Sequence, residues 1–225
     1  MSFWKRFTRI PCTSTVEEPM NMPPFYKFTY YPLKGLGEPI RFLMRYGGVE
    51  FEDDRFVIDD WPKIKPKMPF GQVPVLTVKG KQYHQSTALA RFFARKVHLV
   101  GNDEWEDLEI DQVVDAINDL KSKMILYFYE TDAAIKHSRK GPLYEETLPF
   151  YLKRFDNLAR ENHGYLACKR LTWADVYFVA ILDYLNYMMD MDITGKYPNL
   201  ETVKRNVLSV PAIKDWVDIR PKTNY

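Results

Sequence analysis

The stretch GQVPVLTV, residues 71–78, has the composition of a buried strand but carries a proline in its middle. The apolar side chains that favour a sheet core there are Val73, Val75, Leu76 and Val78. Pro74 has no N–H to donate to a sheet ladder, so it belongs at a strand start, an edge or a bulge. We therefore predict a strand that begins at the proline, leaving the preceding backbone for another molecule to pair with.

Strand and helix patterns alternate around this stretch. Residues 26–30 alternate in polarity and predict a strand that ends near Pro32, and residues 34–48 predict a turn, a helix and a glycine stop. A second strand is expected over 51–57, followed by a proline-broken loop over 59–68 with at most a short helix. The order βαβ and then ββα indicates a small mixed sheet covered by helices.

A second strand pair and a helix follow the proline-broken loop. A hairpin-like turn at Lys79-Gly80 joins 73–78 to 81–85, and a helix over 86–97 is expected to be capped by Ser86 or Thr87.

The pattern changes to helices alone after about residue 104. Helical periodicity covers 110–128, and further helices fit 142–162, 173–190, 199–208 and 211–219. Thr172 and Asp175 have the spacing of a capping box. We predict a domain over 23–100, a boundary near 98–104, and an all-helical domain over 105–225.

Composition argues against several classes of protein. The net charge of +2 on 225 residues gives no support for nucleic-acid or membrane binding, and no apolar run is long enough to span a bilayer. Two cysteines, Cys12 and Cys168, make neither a disulfide framework nor a zinc site, so we expect a reducing, cytoplasmic location. Residues 1–22 lack periodicity and predict a disordered tail; a mitochondrial presequence or a start at Met20 or Met22 are alternatives.

Common catalytic motifs are missing. Gly35 and Gly37 stand where a dinucleotide fingerprint begins, but Ile40 occupies the place of the third glycine. The four histidines lack metal-ligand spacing, and no cysteine follows the first strand, as a thiol-disulfide enzyme would require.

Six motifs in order resemble those of cytosolic glutathione transferases, most closely the sigma class and its insect members. They are YKFTYYPLKGLGEPIR (26–41), DWPKIKP (60–66), MPFGQVPVL (68–76), HQSTALAR (84–91), EDLEIDQVVDAIND (106–119) and LTWADVYF (171–178). The resemblance implies a thioredoxin-like N-terminal domain followed by an all-helical C-terminal domain. It also implies that Pro74 is cis, with the backbone of Val73 pairing with the cysteinyl unit of glutathione; without it, an edge-strand trans-proline is the simpler interpretation.

The same resemblance makes Tyr30 the expected catalytic residue. Its hydroxyl would donate a hydrogen bond to the thiolate of glutathione and so lower the thiol pKa. The alternative is an ordinary core tyrosine, since Tyr26 and Phe28 share its side of the strand. Tyr31 is expected to point the other way.

The expected glutathione site gathers residues from several segments. They are Tyr30, Leu36, Trp61, Lys65, Gly71, Gln72, Val73, Pro74, Gln85 and Ser86, joined by Asp119 of a partner subunit. Gln85 and Ser86 open a helix whose free N–H groups suit a carboxylate. For Trp61 and Lys65 the alternatives are a surface aromatic and a solvated lysine.

Aspartates recur every four residues, at 111, 115 and 119, opposite the apolar stripe of the first long helix. A solvated acidic face is the simple interpretation, whereas the family is dimeric and its matching aspartate reaches the partner's glutathione. We predict no metal; a divalent ion at Asp115 and Asp119 is a weaker alternative because the third acid of the pattern is Asn118 here.

Leu36 departs from many sigma-class relatives, which have an arginine there that supports the thiolate. Activation should then depend more on Tyr30 and on backbone dipoles. Tyr31, Leu33 and Leu36 are the candidates for an electrophile pocket that is otherwise formed by the helical domain.

The predicted function is a homodimeric glutathione transferase with glutathione as co-substrate and no permanently bound cofactor. It would add the thiolate to small hydrophobic electrophiles, with lipid-peroxidation aldehydes as candidates. The alternatives are a glutathione-dependent isomerase of prostaglandin type, or a structural or binding relative of the fold.

Overall fold

The computed structural model describes residues 25–225, and the predicted tail over 1–22 lies outside the described residues. Strand β1 (Tyr26–Tyr30), helix α1 (Glu38–Tyr46) and strand β2 (Phe51–Arg55) form the expected βαβ unit, in which β1 and β2 are parallel. A 3-10 turn, Gly35–Gly37, leads into α1, and Pro39 lies in the first turn, where its missing N–H costs no hydrogen bond.

The segment between β2 and the second strand pair is broken into short turns, as its prolines predict. Helix α2 (Trp61–Ile64) is a single turn, flanked by 3-10 turns at Ile58–Asp60, Lys65–Lys67 and Pro69–Gly71. Most of this segment is exposed or half-buried, so it forms a rim rather than part of the core.

The proline of the opening stretch stands directly before strand β3 (Val75–Val78), and the Val73–Pro74 peptide bond is cis. Strand β4 (Lys81–His84) follows through a turn in which Lys79 and Gly80 have φ of 49° and 78°. The sheet order is β2-β1-β3-β4, with β3 antiparallel to both neighbours. The predicted strand start and the small mixed sheet are confirmed.

Helix α3 (Ser86–Lys96) corrects one expectation. Gln85 is the residue before the helix, and no side chain caps the first turn. Neither Ser86 nor Thr87 is therefore the N-cap, and the first N–H groups of α3 are not used by a capping side chain.

The rest of the chain is helical, which confirms the predicted all-helical second domain. Its helices are α4 (Glu104–Phe128), α5 (Ala133–Gly141), α6 (Leu148–Glu161), α7 (Trp173–Met189), α8 (Pro198–Leu208) and α9 (Pro211–Ile219). Within residues 25–225 no helix has both the length and the apolar character needed to cross a bilayer. No helix or strand lies in 97–103, around the predicted boundary.

Helix α5 was not predicted from the sequence. The predicted helix over 142–162 consists of a π-helical stretch followed by α6. The nine residues of α5 include no buried side chain, so the helix has no apolar stripe to detect. Asp132 starts it by accepting from the N–H groups of Ala134 and Ile135. A π-helical stretch, Pro142–Thr147, then connects α5 to α6.

Helix α7 is the central element of the helical domain. Fourteen of its seventeen residues are buried, and it packs against α4 and against α1 of the first domain. At its start Asp175 accepts from the N–H of Thr172 (2.8 Å) and from the N–H of Leu166 (2.6 Å), both buried. Burial raises the pKa of Asp175 to about 6, against the opposing effect of these donors.

We expect Asp175→Ala to lower the free energy of unfolding by about 2–5 kcal/mol, because it removes a cap and leaves two buried N–H groups without an acceptor. Asp132→Ala is the matched control, since that carboxylate caps an exposed helix and should contribute about 1 kcal/mol. Urea denaturation measures both; equal losses would contradict the importance of burial at α7.

Candidate active site

A groove of about 310 Å³ lies where the first domain brings three separate loops together. Its walls come from the loop after β1, the turns before β3 and the junction between β4 and α3. The lining residues are Tyr31, Leu36, Trp61, Gly71, Gln72, Val73, Pro74, His84, Gln85 and Ser86.

The N-terminus of α3 forms one end of this groove. Gln85 has φ of 74°, a region that non-glycine residues rarely occupy, and such outliers cluster at functional sites. The eleven-residue helix that follows presents uncapped N–H groups and the positive end of its dipole. This end of the groove is therefore suited to a carboxylate.

Tyr30 lies behind the groove rather than in its wall. The residue is 5% exposed, and its hydroxyl oxygen accepts a hydrogen bond from the N–H of Leu36 at 3.0 Å. Burial raises the pKa of the Tyr30 phenol far above its usual range, while that N–H and the Arg41 guanidinium oppose the rise. The phenol therefore stays protonated at neutral pH, and its own O–H remains available to donate.

The loop over residues 31–37 is held tightly against the Tyr30 ring. Arg41, fully buried, donates to the carbonyl of Leu33 at 2.9 Å. A Cβ on Gly37 would stand 2.6 Å from Cδ1 of Tyr30, and one on Gly35 would stand 2.8 Å from its hydroxyl. Glycine at these two positions lets the backbone approach the tyrosine closely enough for the Leu36 N–H to reach it.

The structure gathers most of the residues expected to bind glutathione. The groove contains Leu36, Trp61, Gly71, Gln72, Val73, Pro74, Gln85 and Ser86. Lys65 is exposed beside Gly71, with its Cγ and Cε 3.4 Å from where a Cβ on that glycine would lie. Asp119 is exposed on α4 and is not part of the groove lining.

Tyr31 differs from expectation, because it lines the groove that was assigned to glutathione. Its ring lies 5.6 Å from that of Tyr30 and 5.3 Å from that of Trp61. Phe56 stacks on Trp61 at 5.6 Å, so these rings support one wall. Leu33, the other pocket candidate, is half-buried against the core and lies outside the groove lining.

A cluster of tyrosines from the helical domain, missed from the sequence, stands close to Tyr30. The hydroxyls of Tyr129 and Tyr184 are 3.2 Å apart, and the ring of Tyr225 stacks on Tyr184 and Tyr187 with centroids 5.5 and 4.1 Å away. Burial raises the pKa of Tyr184 far above its usual range, with Tyr129 adding to the rise. No sequence signal marked them, since Tyr184 and Tyr187 lie in a largely apolar helix and Tyr225 belongs to no motif.

A buried lysine, also missed, contacts Asn118, the position that breaks the acidic pattern of α4. Nζ of Lys121 donates to Oδ1 of Asn118 at 2.5 Å, and the hydroxyl of Tyr177 donates to the same oxygen at 2.8 Å. Burial lowers the pKa of Lys121 to about 8. Nδ2 of Asn118 donates to Oγ1 of Thr87 at 3.3 Å, tying this helix to α3.

Asp111, Asp115 and Asp119 of α4 lie in the part of the chain that the structure describes. No group of three or more His, Cys, Asp or Glu side chains is placed to hold an ion there. Asp111 is paired with Arg91 at 3.0 Å instead, and Asp115 and Asp119 are exposed.

We expect Gly37→Ala to displace the Tyr30 ring, lower stability by about 1–3 kcal/mol and reduce any activity that needs Tyr30. Gly141→Ala is the matched control, because both glycines have helical φ and a Cβ on Gly141 meets nothing within 4 Å. Thermal unfolding and turnover measure the pair; identical behaviour would show that the close approach at Gly37 is not required.

Part of the helical domain matches a family model, and most of the chain aligns with known proteins. Residues 118–220 match the family model "Glutathione S-transferase, C-terminal domain". A glutathione S-transferase of Anopheles gambiae is 46% identical over 89% of this chain and 98% of its own length. Glutathione S-transferase S1 of Drosophila melanogaster is 46% identical over 88% of this chain and 80% of its own.

A solved structure is similar to this chain over the same range. The structure of prostaglandin synthase D of Nilaparvata lugens superposes with a TM-score of 0.85 at 44% identity, covering 89% of this chain and 100% of that one. With this identity over almost the whole described chain, a thioredoxin-like sheet and an all-helical second domain, the protein belongs to the glutathione S-transferase family.

Proposed function

We propose that this chain is a sigma-class glutathione transferase that activates glutathione through Tyr30 and adds its thiolate to small electrophiles. The observation that carries the proposal is the buried Tyr30 hydroxyl, which accepts from the Leu36 N–H and keeps its own proton to donate beside the groove. Glutathione enters as a co-substrate.

The groove suits the three parts of glutathione. The N-terminus of α3 at Gln85 and Ser86 would bind the γ-glutamyl carboxylate, since the dipole and unused N–H groups favour an anion. The backbone of Val73 would pair with the cysteinyl unit in strand fashion. Trp61 and Lys65, on the opposite rim, would contact the glycyl end.

Thiol activation follows from the hydrogen bonds of Tyr30. An oxygen that accepts from Leu36 is polarised, which strengthens the bond that its O–H donates. Donation to sulfur favours the thiolate over the thiol and so lowers the thiol pKa; the thiol proton leaves to solvent. Leu36 therefore contributes its backbone N–H in place of an arginine side chain.

The chemical step forms one carbon–sulfur bond. With an α,β-unsaturated aldehyde, the thiolate sulfur attacks the β-carbon, the C=C electron pair moves toward the carbonyl oxygen, and the enolate takes a proton from solvent. The Tyr129 and Tyr184 hydroxyls, 3.2 Å apart, would supply a hydrogen-bond donor to that oxygen. Lipid-peroxidation aldehydes are accordingly the candidate substrates, which would make the role one of detoxification in the cytoplasm.

We expect Tyr30→Phe to lower turnover about 10- to 100-fold, the loss of one hydrogen bond to a charged group. The kinetic pKa of bound glutathione should rise toward that of the free thiol, while glutathione affinity falls little. Tyr31→Phe is the matched control, one residue along the same loop. Overlapping pH–rate profiles for Tyr30→Phe and the parent enzyme would exclude Tyr30 as the activating residue.

A homodimer is the assembly we propose, supported by complementary features on one subunit. Phe70 is 82% exposed at the tip of the turn before β3. A groove of about 350 Å³ between α4 and α6 is lined mainly by apolar and aromatic residues, including Val113, Ala116 and Tyr151. In a two-fold dimer each Phe70 would enter the partner's groove, and Asp119 on α4 would face the partner's glutathione amine.

We expect Phe70→Glu to shift the protein toward monomers, because it places a charge in an apolar groove. Asp119→Ala should keep the dimer and raise the Kd for glutathione. Sedimentation velocity and glutathione titration separate the two effects; a dimeric Phe70→Glu protein would remove Phe70 from the interface.

A glutathione-dependent isomerase of prostaglandin type is the second candidate, favoured by the 44% identity to the prostaglandin synthase D of Nilaparvata lugens. Isomerisation consumes no glutathione, whereas conjugation does. Measuring glutathione consumed per product formed, with an enal and with a prostaglandin endoperoxide, therefore distinguishes the two activities. A protein that binds glutathione-agarose but does neither would be a binding relative of the fold.

A further inference from the structure

Tyr225 connects the helical domain to the 31–37 loop, which carries the Leu36 N–H that donates to the Tyr30 hydroxyl. Its ring stacks on Tyr187, with centroids 4.1 Å apart and planes 28° apart, and on Tyr184 at 5.5 Å. Its backbone oxygen accepts from the N–H of Lys34 at 2.9 Å and from Oγ1 of Thr223, also at 2.9 Å. One residue is thus fixed by its ring to α7 and by its backbone to the 31–37 loop.

The backbone of Lys34 closes the 3-10 turn of that loop and also contacts Tyr225. The carbonyl of Lys34 accepts from the N–H groups of Gly37 (3.1 Å) and Glu38 (3.0 Å), while its N–H donates to Tyr225. The Lys34 side chain pairs with Asp183 of α7 at 2.8 Å. The helical domain therefore holds this peptide from two sides, and Tyr225 provides the backbone contact.

A shift of the Lys34 peptide would be transmitted to Tyr30. Leu36, two residues further, donates the 3.0 Å bond to the Tyr30 hydroxyl. The backbone at Gly35 and Gly37 lies so close to the tyrosine that a Cβ at either would stand under 3 Å from it. Because the loop backbone packs this closely on the tyrosine, a shift of the loop would change the distance from the Leu36 N–H to the phenol oxygen.

We propose that Tyr225 is a positioning residue for Tyr30: by holding Lys34 in place, it keeps the Leu36 N–H on the tyrosine hydroxyl and so sustains activation of the bound thiol. This inference rests on the proposed function and extends it, since it assigns part of thiol activation to a residue 195 positions away in the sequence. Tyr225 acts through the loop and need not touch glutathione.

The test is the ionisation of glutathione in the binary complex, followed by the ultraviolet absorbance of the thiolate as pH is raised, with no electrophile present. In Tyr225→Ala we expect the pKa of bound glutathione to rise by about 0.5–1 unit, which is threefold to tenfold less thiolate below the pKa. The Kd for glutathione should change less than twofold. Tyr187→Ala, which removes the ring beneath Tyr225, should give a shift in the same direction.

Two further variants make the result specific. Tyr225→Phe keeps the stacked ring and should restore the parent pKa. Lys222→Ala, an exposed position of the same segment, should match the parent as well. An unchanged pKa in a folded Tyr225→Ala protein, checked by thermal unfolding, would overturn the proposal.

The two proposals fail differently. If the parent protein binds no glutathione, or shows no thiolate absorbance, the proposed function is wrong and the inference is overturned with it. If the parent shows a lowered thiol pKa that Tyr225→Ala leaves unchanged, the function stands and the role of Tyr225 does not.

Discussion

The buried ion pair between Glu38 and Arg41 is the interaction on which the arrangement of the site depends. Both side chains are 0% exposed, and they meet at 3.2 Å in the first turns of α1. Removing one partner of such a pair typically costs about 3–5 kcal/mol, because the other charge is left buried without compensation. Each residue also has a second set of contacts: Arg41 faces the sheet and the 31–37 loop, and Glu38 faces the helical domain.

These two sets of contacts join the domains around Tyr30. Oε1 of Glu38 accepts from the indole N–H of Trp216 at 2.8 Å and from Arg220 at 2.9 Å, which brings α9 onto the start of α1. Arg41 bonds the Leu33 carbonyl, pairs with Asp53 at 3.0 Å and lies 5.7 Å from the Tyr30 ring centroid. This pair of opposite charges therefore contacts the loop, the tyrosine and the helical domain together.

The two domains contribute different parts of the region around Tyr30. The groove that we propose for glutathione is lined by residues of the first domain and includes the N-terminus of α3. The tyrosines that stand near Tyr30 come from the ends of α4 and α7 and from Tyr225. Of these side chains, Tyr129 stacks on no part of Tyr225, so its substitution should leave the contact between Tyr225 and Lys34 in place.

The sequence by itself determined the elements whose chemistry is local. Pro74 fixed the start of β3, the 26–30 alternation gave β1, and Thr172 with Asp175 marked α7, because turn, period and cap are properties of neighbouring residues. Only the tertiary structure decided that Tyr31 lines the groove, that Gln85 rather than Ser86 precedes α3, and that α5 exists without an apolar stripe. It alone also placed Lys121 against Asn118 and Tyr225 against Lys34. Contacts of that kind join segments far apart in the chain, and they follow from how α4 and α7 pack on the first domain rather than from any local pattern.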